Sequence, residues 1–429
     1  MKKNNRFYIF SLIILLASCS LSKKIYQPAD KFILHNKAFV SAHTGISIYE
    51  PATGKYWFNY QADKYFTPAS NTKLATCYAA MKYLGDSLVG IKYNKINDST
   101  VVIKGMADPT FLHRDFSDNP VFNFLKKYKY IQIINPAFTN YLGSGWAWDD
   151  YLDYYMAQRS AFPLHGNTVQ VDWINENTLS FLPSYFQNKS LIKEKLISGY
   201  KVRRPWDIND FTFINGYRKH SEIPFTPDEN TLQKLLQDTL KEQVETINNY
   251  NGNLYGIIHS QPTDSLLKPM MHRSDNFYAE QSLLMVSQKI LGYMNDSKVI
   301  DTLLKTDYAQ MPQKPEWVDG SGLSRYDLFS PKDFIFILNK MKNDFGMERI
   351  KNILPTGGSG TISNYYLSDI GYIFVKTGTL NGVVALSGFL YTKKNKLLIF
   401  SILVNNHRSS ATSIRKGIEE FIQDIRDRY

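Results

Sequence analysis

Apolar and polar positions change their period several times along the chain, and each change marks an element. The segments GISIYE (45–50) and GKYWFNYQ (54–61) alternate on either side of Pro51-Ala52-Thr53-Gly54, which predicts a β-hairpin. Leu74, Tyr78, Met81 and Leu84 then recur at helical spacing behind Ser70, with Gly85 as a stop. Between about 89 and 225 the runs are short and alternating, as in TVVIKG and NTVQVDW, and loops rich in Asn, Asp, Gly and Pro separate them, so this stretch reads as mainly β. Helical periodicity returns over 229–248, NLYGIIHS (253–260) reads as a strand, and a second clear helix starts at Asn276, with Phe277, Glu280, Gln281, Leu284 and Met285 in phase. Near the C-terminus YIFVKTG, VVALSGFLYT and KLLIFSILVN predict three successive strands with turns at Asn381-Gly382 and Lys393–Lys396, and a helix over 411–427 follows.

The first residues carry a different pattern. A basic start (Lys2, Lys3, Arg6) leads into an apolar run of 11 residues, Phe7 to Ala17, too short for the ~20 residues that span a bilayer. This predicts a signal peptide over 1–18, and Leu16-Ala17-Ser18-Cys19 resembles a bacterial lipobox with Cys19 as the lipidated residue of a tether over 19–30. Removing residues 1–18 takes away three cations and lowers the formal charge from +11 to +8. A basic exported chain suits anionic wall polymers and headgroups, and no nucleic-acid recognition motif is visible. Cys77 is left without a partner in the chain and is expected to pack as a small apolar residue; the eight His show no metal-ligand spacing, which speaks against a zinc site. At 429 residues the chain is long enough for two or three units.

Ser-x-x-Lys occurs five times, at Ser20, Ser70, Ser190, Ser265 and Ser413, so spacing alone selects nothing. Only Ser70 combines a preceding hairpin with a long apolar helical face, and only Ser70 is followed in order by Ser274-Asp275-Asn276 at a helix start and Lys376-Thr377-Gly378 at the end of an apolar strand. A second Ser-Asp-Asn, at Ser117, is met at once by Pro120 and reads as loop. The ordered triple is that of penicillin-binding proteins and β-lactamases. Its chemistry needs a hydroxyl relieved of its proton, which a neutral Lys73 one turn from Ser70 can accept; burial and a second cation, Lys376, would lower that amine's proton affinity. The N–H groups of Ser70 and Thr379 offer an oxyanion site, Ser274 a proton relay to the leaving amine, and Asn276 an anchor for Lys73 and the substrate amide. Lys376 and Thr377 would hold a terminal carboxylate. Taken singly, Ser70 and Ser274 read equally as N-caps and Lys-Thr-Gly as a plain strand end.

The chain resembles the D-alanyl-D-alanine carboxypeptidase/endopeptidase family, the class C low-molecular-mass penicillin-binding proteins. Supporting strings are KGMADPT (104–110), GWAWDD (145–150), DGSGLSR (319–325), GSGTI (358–362) and KTGTLNGV (376–383), and the 204 positions between the first two motifs leave room for an inserted domain. The resemblance implies an α/β (α+β) transpeptidase-like fold, an antiparallel sheet flanked by helices over 31–88 and 226–429, with a mainly β insertion over 89–225. It also implies hydrolysis of peptidoglycan stem peptides through an acyl-enzyme without a metal or organic cofactor, β-lactams as covalent inhibitors, and Thr377, Gly378 and Thr379 along the substrate. By the same resemblance Asp150, Tyr155, Arg325 and Asn381 face the stem peptide, a carboxylate and a guanidinium suiting a zwitterionic diaminopimelate end. SAFPLHGNTVQV (160–171) follows the family only loosely. The alternatives are a β-lactamase or esterase of the same fold, against which the absence of Glu-x-x-Leu-Asn counts, and a non-catalytic wall-binding lipoprotein. The expected location is the periplasm, anchored to a membrane through Cys19; Ser20 is compatible with the outer membrane.

Overall fold

Alternation in the C-terminal apolar segments builds the central sheet. The computed structural model describes residues 24–135, 138–175, 178–193, 202–214 and 220–429; the expected signal peptide and Cys19 lie outside them. Strands β1 (His43–Glu50) and β2 (Lys55–Tyr60) form the predicted hairpin and join β14 (Ile373–Leu380), β15 (Val383–Tyr391) and β16 (Leu397–Asn405) in an antiparallel sheet ordered β14-β15-β16-β1-β2. Along β16, Leu398, Phe400, Ile402 and Val404 share one core with α9 (Ala411–Arg428), while Ile399 and Leu403 belong to the core on the other face, the expected period of two.

That second core contains α2 (Lys73–Tyr83), α5 (Thr263–His272), α6 (Asn276–Leu291), α7 (Asp296–Lys305) and α8 (Pro331–Ile353). Every residue of α2 from Lys73 to Met81 is buried, so this helix is the centre of the unit rather than an amphipathic surface element. Cys77 lies within it, and burial pushes its thiol up to about 12.

Four sequence expectations need correction. The tether ends earlier than residue 30: residues 24–29 are helical and run into a π-helical turn, Asp30–Leu34, together α1. Ile25, Ala29 and Ile33 recur every four residues and bury against the α9 side of the sheet. The insertion runs from β3 (Ser87–Lys95) to β13 (Gly256–Pro262), beyond 89–225, because these two strands pair antiparallel. With β4 (Thr100–Gly105), β5 (Tyr130–Ile134) and β12 (Gln243–Ile247) they make a mixed sheet ordered β12-β5-β4-β3-β13. The expected helix over 229–248 is α4 (Glu229–Leu240) followed by β12: Lys241 takes a left-handed conformation and the chain then pairs in parallel with β5. Finally, the second Ser-Asp-Asn leads into a short helix, α3 (Pro120–Leu125), where proline occupies a first-turn position that needs no N–H.

Among the described residues, the other strands of the insertion form two small sheets joined by loops and short 3-10 turns. Strands β6 (Thr168–Asn175), β7 (Thr178–Leu182) and β11 (Ser221–Pro224) form one three-stranded sheet, and β8 (Ser190–Lys193), β9 (Val202–Arg203) and β10 (Phe211–Ile214) another.

Candidate active site

The nucleophile candidate lies on a 3-10 turn, Ala69–Thr72, that feeds directly into α2, and no side chain caps it. Ser274 is not a cap either: Asp275 takes that position on α6 and accepts from the Tyr278 N–H at 3.0 Å, while Ser274 itself has φ of 62°. Both hydroxyls that sequence reasoning left open between capping and chemistry are therefore free of capping.

Three tethers hold the turn beside the sheet. The amide of Asn71 donates to Ser387 Oγ at 2.7 Å, which donates to Ser401 Oγ at 2.8 Å, and Asn405 exchanges two hydrogen bonds with the backbone of Thr67 at 2.7 and 3.0 Å. Glycine permits the closest approach. A Cβ on Gly378, inside β14, would fall 2.6 Å from the Pro68 carbonyl oxygen, so only glycine lets the edge strand pass this near to Ser70. The Lys-Thr-Gly string thus sits within β14, which continues to Leu380, rather than at its end.

The structure brings all five candidate catalytic residues together. Lys73 Nζ lies 2.9 Å from Ser70 Oγ, 2.6 Å from Asn276 Oδ1 and 2.7 Å from the Ser321 carbonyl oxygen. Both carbonyl oxygens only accept, so they use the two N–H bonds of a neutral amine and leave its lone pair for the Ser70 hydroxyl. The orientation of Asn276 is fixed by its Nδ2 donating to the Tyr155 carbonyl at 2.9 Å. Across the groove Lys376 Nζ donates to Ser274 Oγ at 2.8 Å, and Thr377 Oγ1 donates to Thr361 Oγ1, in the GSGTI segment, at 2.7 Å.

Lys73 and Lys376 are both 0 % exposed, which disfavours charge on either. Burial brings Lys73 down to about 8, opposed by the nearby carboxylates Asp319, Glu280, Asp275 and Asp327. Lys376 is held well below the usual lysine range by burial and then by the charge of Lys73. Burial is the first cause at both amines, and the mutual repulsion of Lys73 and Lys376 adds to it.

Sequence reasoning missed the layer behind Lys73. Asp319 accepts from the N–H groups of Gly322 at 2.6 Å and Ser324 at 2.7 Å and from Trp146 Nε1 at 2.9 Å, which shapes the DGSGLSR loop. Glu280, one turn beyond Asn276 on α6, accepts from the Ser321 N–H at 2.8 Å and pairs with buried Arg159 at 3.2 Å; Arg159 also meets Asp296 at 2.6 Å. Burial and Asp319 push the Glu280 carboxyl up to about 7, against the pull of Arg159. The quoted strings GWAWDD and DGSGLSR contained part of this layer, but nothing in their spacing shows which atoms meet.

Two of the candidates for stem recognition, Arg325 and Asn381, meet just past the end of β14, while Tyr155 lies beside Asn276. Arg325 Nη1 donates to the Asn381 carbonyl at 3.5 Å, and the Arg325 charge is felt at Asp150. Burial raises the Asp150 carboxyl first; hydrogen bonding to Tyr155 and Arg325 oppose it, and the charges of Asp153 and Asp149 add to it. The Tyr155 hydroxyl also donates to Asp153 Oδ2 at 3.0 Å. Thr379, exposed on β14, accepts from Arg415 Nη2 at 2.7 Å.

The chain is 23% identical over 458 residues to penicillin-sensitive carboxypeptidase A of Dictyostelium discoideum, covering 87% of this chain and 85% of that one. Penicillin binding protein 4 (dacB) from Haemophilus influenzae shares the fold with a TM-score of 0.73 at 18% identity, over 93% of this chain and 98% of that one. The same protein complexed with a β-lactam superposes with a TM-score of 0.67 at 17% identity, over the same shares. The family model for D-Ala-D-Ala carboxypeptidase 3 (S13) matches residues 29–190 and 229–425. The chain belongs to the D-Ala-D-Ala carboxypeptidase 3 (S13) family and is, with it, a serine peptidase and hence a hydrolase.

Proposed function

We propose that Ser70 is the nucleophile of a D-alanyl-D-alanine carboxypeptidase, also able to act as a D,D-endopeptidase, that cuts peptidoglycan stem peptides through an acyl-enzyme. The observation that carries this reading is the placement of Lys73 Nζ, 2.9 Å from Ser70 Oγ and 2.6 and 2.7 Å from two carbonyl oxygens that would take both N–H bonds of the amine once it is deprotonated. Lys73 accepts the Ser70 proton as Oγ attacks the penultimate D-Ala carbonyl. The developing oxyanion is met by the backbone N–H groups of Ser70 and Thr379. Collapse breaks the C–N bond, and a proton passes through Ser274 to the leaving amine while Lys376 and Thr377 hold its carboxylate. Water then attacks the ester, giving up a proton to Lys73, and Ser70 is released as the free hydroxyl.

A β-lactam enters the same sequence but leaves its amine tethered to the acyl group, so it acts as a covalent inhibitor. The β-lactam complex of the Haemophilus influenzae relative supports this. Purified protein incubated with a pentapeptide stem should release D-Ala and should label with a fluorescent penicillin. Ser70→Ala should abolish both; labelling retained by that variant would reassign the nucleophile. Lys73→Ala should suppress acylation while leaving the thermal midpoint near wild type.

In this reading the peptidase faces the periplasm, held to the outer membrane by lipid on Cys19 after removal of residues 1–18. The apolar run from Phe7 to Ala17 and the lipobox-like residues before Cys19 support it. Metabolic labelling with palmitate should mark the wild type and not Cys19→Ala; equal labelling of both would reject the anchor.

A further inference from the structure

The donors that β14 offers a substrate carboxylate are already engaged. Lys376 is fully buried, and its amine meets Ser274 Oγ at 2.8 Å and the Thr377 carbonyl oxygen at 2.7 Å. Burial also works against a charge on it. Thr377 Oγ1 gives its proton to Thr361 at 2.7 Å. A carboxylate arriving beside this strand needs a full positive charge from another element.

The C-terminal helix α9 supplies one. Arg415, half-buried near its start, donates from Nη2 to Thr379 Oγ1 at 2.7 Å. Glu419 stands four residues on, where it could neutralise the guanidinium, but it accepts from the Tyr366 N–H at 2.5 Å instead. Among the described residues the Thr379 hydroxyl is the one hydrogen-bond partner of the guanidinium, and no carboxylate pairs with it. A guanidinium only donates, so Thr379 Oγ1 is the acceptor in this contact and keeps its own proton to give. Most of the Arg415 N–H groups are left over as well.

The contact also lies where a carboxylate would arrive. Thr377 and Thr379 are two apart on β14 and share a face. Thr377 and Arg415 line one recess with the buried side chains of Ile362 and Ile418, and apolar walls weaken the screening of a charge by water. In a peptide substrate three bonds, at most about 4.3 Å in all, separate the scissile carbonyl carbon from the carboxylate carbon of the departing residue. With the carbonyl at the Thr379 N–H, that carboxylate comes within reach of the hydroxyl of the same residue and of the guanidinium held on it.

We propose that Arg415, which lies outside the three motifs, selects substrates ending in a free α-carboxylate: its guanidinium and the Thr379 hydroxyl it orients bind that carboxylate together. This rests on the function proposed above and names the substrate feature read on the leaving side. The guanidinium is already held on Thr379, so little side-chain freedom is lost when the charge-assisted bond forms. Arg415 takes no part in the hydrogen bonds of Lys73, so it acts on the choice of substrate and not on proton transfer.

Two pentapeptide stems that differ only at the C-terminus, one a free acid and one a primary amide, test this on the full chain. Wild type should cleave the acid with a kcat/KM at least about tenfold higher, the worth of one charge-assisted hydrogen bond. Arg415→Gln keeps a donor for Thr379 without the charge; it should lower the acid-to-amide ratio about tenfold through KM for the acid, with amide cleavage within about twofold. Arg415→Lys keeps the charge without the fork and should give an intermediate ratio. Each ratio is taken on one sample, so it does not depend on the fraction folded. An unchanged ratio in Arg415→Gln, or equal falls on both substrates, would confine Arg415 to tying α9 to β14 and overturn the proposal. A wild type indifferent to the terminal charge would overturn it too, while sparing the peptidase reading. Failure of the wild type to release the last residue from either peptide or to label with penicillin would overturn that reading, and this proposal with it.

Discussion

The backbone of Ser321 couples Lys73 to Glu280: its carbonyl oxygen accepts from Lys73 Nζ at 2.7 Å and its N–H donates to Glu280 Oε1 at 2.8 Å. Glu280 therefore acts on the amine in two ways, by fixing the carbonyl that orients it and by adding negative charge that raises its proton affinity. Glu280→Gln keeps an acceptor for the Ser321 N–H and removes the charge. Arg159 retains Asp296, so the substitution does not strand a buried cation. Lys73 should then lose its proton more readily, and the acidic limb of the acylation profile should move to lower pH. Acylation rates for a chromogenic β-lactam, taken from pH 5 to 9, give the answer; a profile unchanged in position would confine Glu280 to a structural part.

The pH dependence of the wild type follows from the same amine. Burial has lowered Lys73 to about 8, so it is protonated below that value and becomes competent as pH rises through it. Acylation should increase about tenfold per pH unit on the acidic side and level off above about pH 9. Lys73→Arg keeps a cation of similar reach that does not deprotonate in this range, and should lower acylation about 10²–10⁴-fold at every pH. Stopped-flow acylation at fixed ionic strength measures both; a flat wild-type profile would remove Lys73 as base.

The parts of this site legible in the sequence are those carried by a local period. Ser70, Asn276 and Lys376 each sit on an element whose apolar spacing is plain over a few turns or pleats, and their order along the chain did the rest. The supporting layer is not local. Arg159 and Glu280 are separated by 121 positions and meet only because the insertion returns to the catalytic unit. Nonlocal pairing also explains the helix that overran into 243–247, since β12 is fixed by its parallel neighbour β5, 113 residues away. Serine as cap and serine as nucleophile share residue type and position, so that ambiguity ends only when Asp275 is seen to fill the cap of α6.

Recognition of the stem should separate from acylation. Arg325 lies by the β14–β15 turn with its guanidinium on the Asn381 carbonyl at 3.5 Å and its charge felt at Asp150. None of the hydrogen bonds around Lys73 involves it. Arg325→Ala should raise KM for a stem peptide ending its third side chain in a free amine and carboxylate by about tenfold, and leave penicillin acylation within about twofold. A parallel fall in both rates would mean that the residue supports the fold of the DGSGLSR loop instead.

Three glycines test whether the groove depends on backbone approach or merely on backbone conformation. Gly371 has φ of 79° with nothing within 4 Å of an added Cβ, so Gly371→Ala meets only the left-handed strain of about 1–2 kcal/mol. Gly322 has φ of 77°, and its added Cβ would fall 1.9 Å from the Ala69 carbonyl oxygen, beside Ser70. Gly322→Ala should thus exceed the Gly371→Ala loss and should also slow acylation, because the loop that presents the Ser321 carbonyl must retreat from the nucleophile turn. Gly378 has no such strain, and its Cβ would approach the Pro68 oxygen to 2.6 Å. Gly378→Ala should cost about 1–3 kcal/mol of stability by overpacking and slow acylation by moving β14 away from Ser70. Thermal midpoints and penicillin acylation rates for the three variants decide the matter: if Gly371→Ala slows acylation as much as the other two, close approach is not what these positions supply.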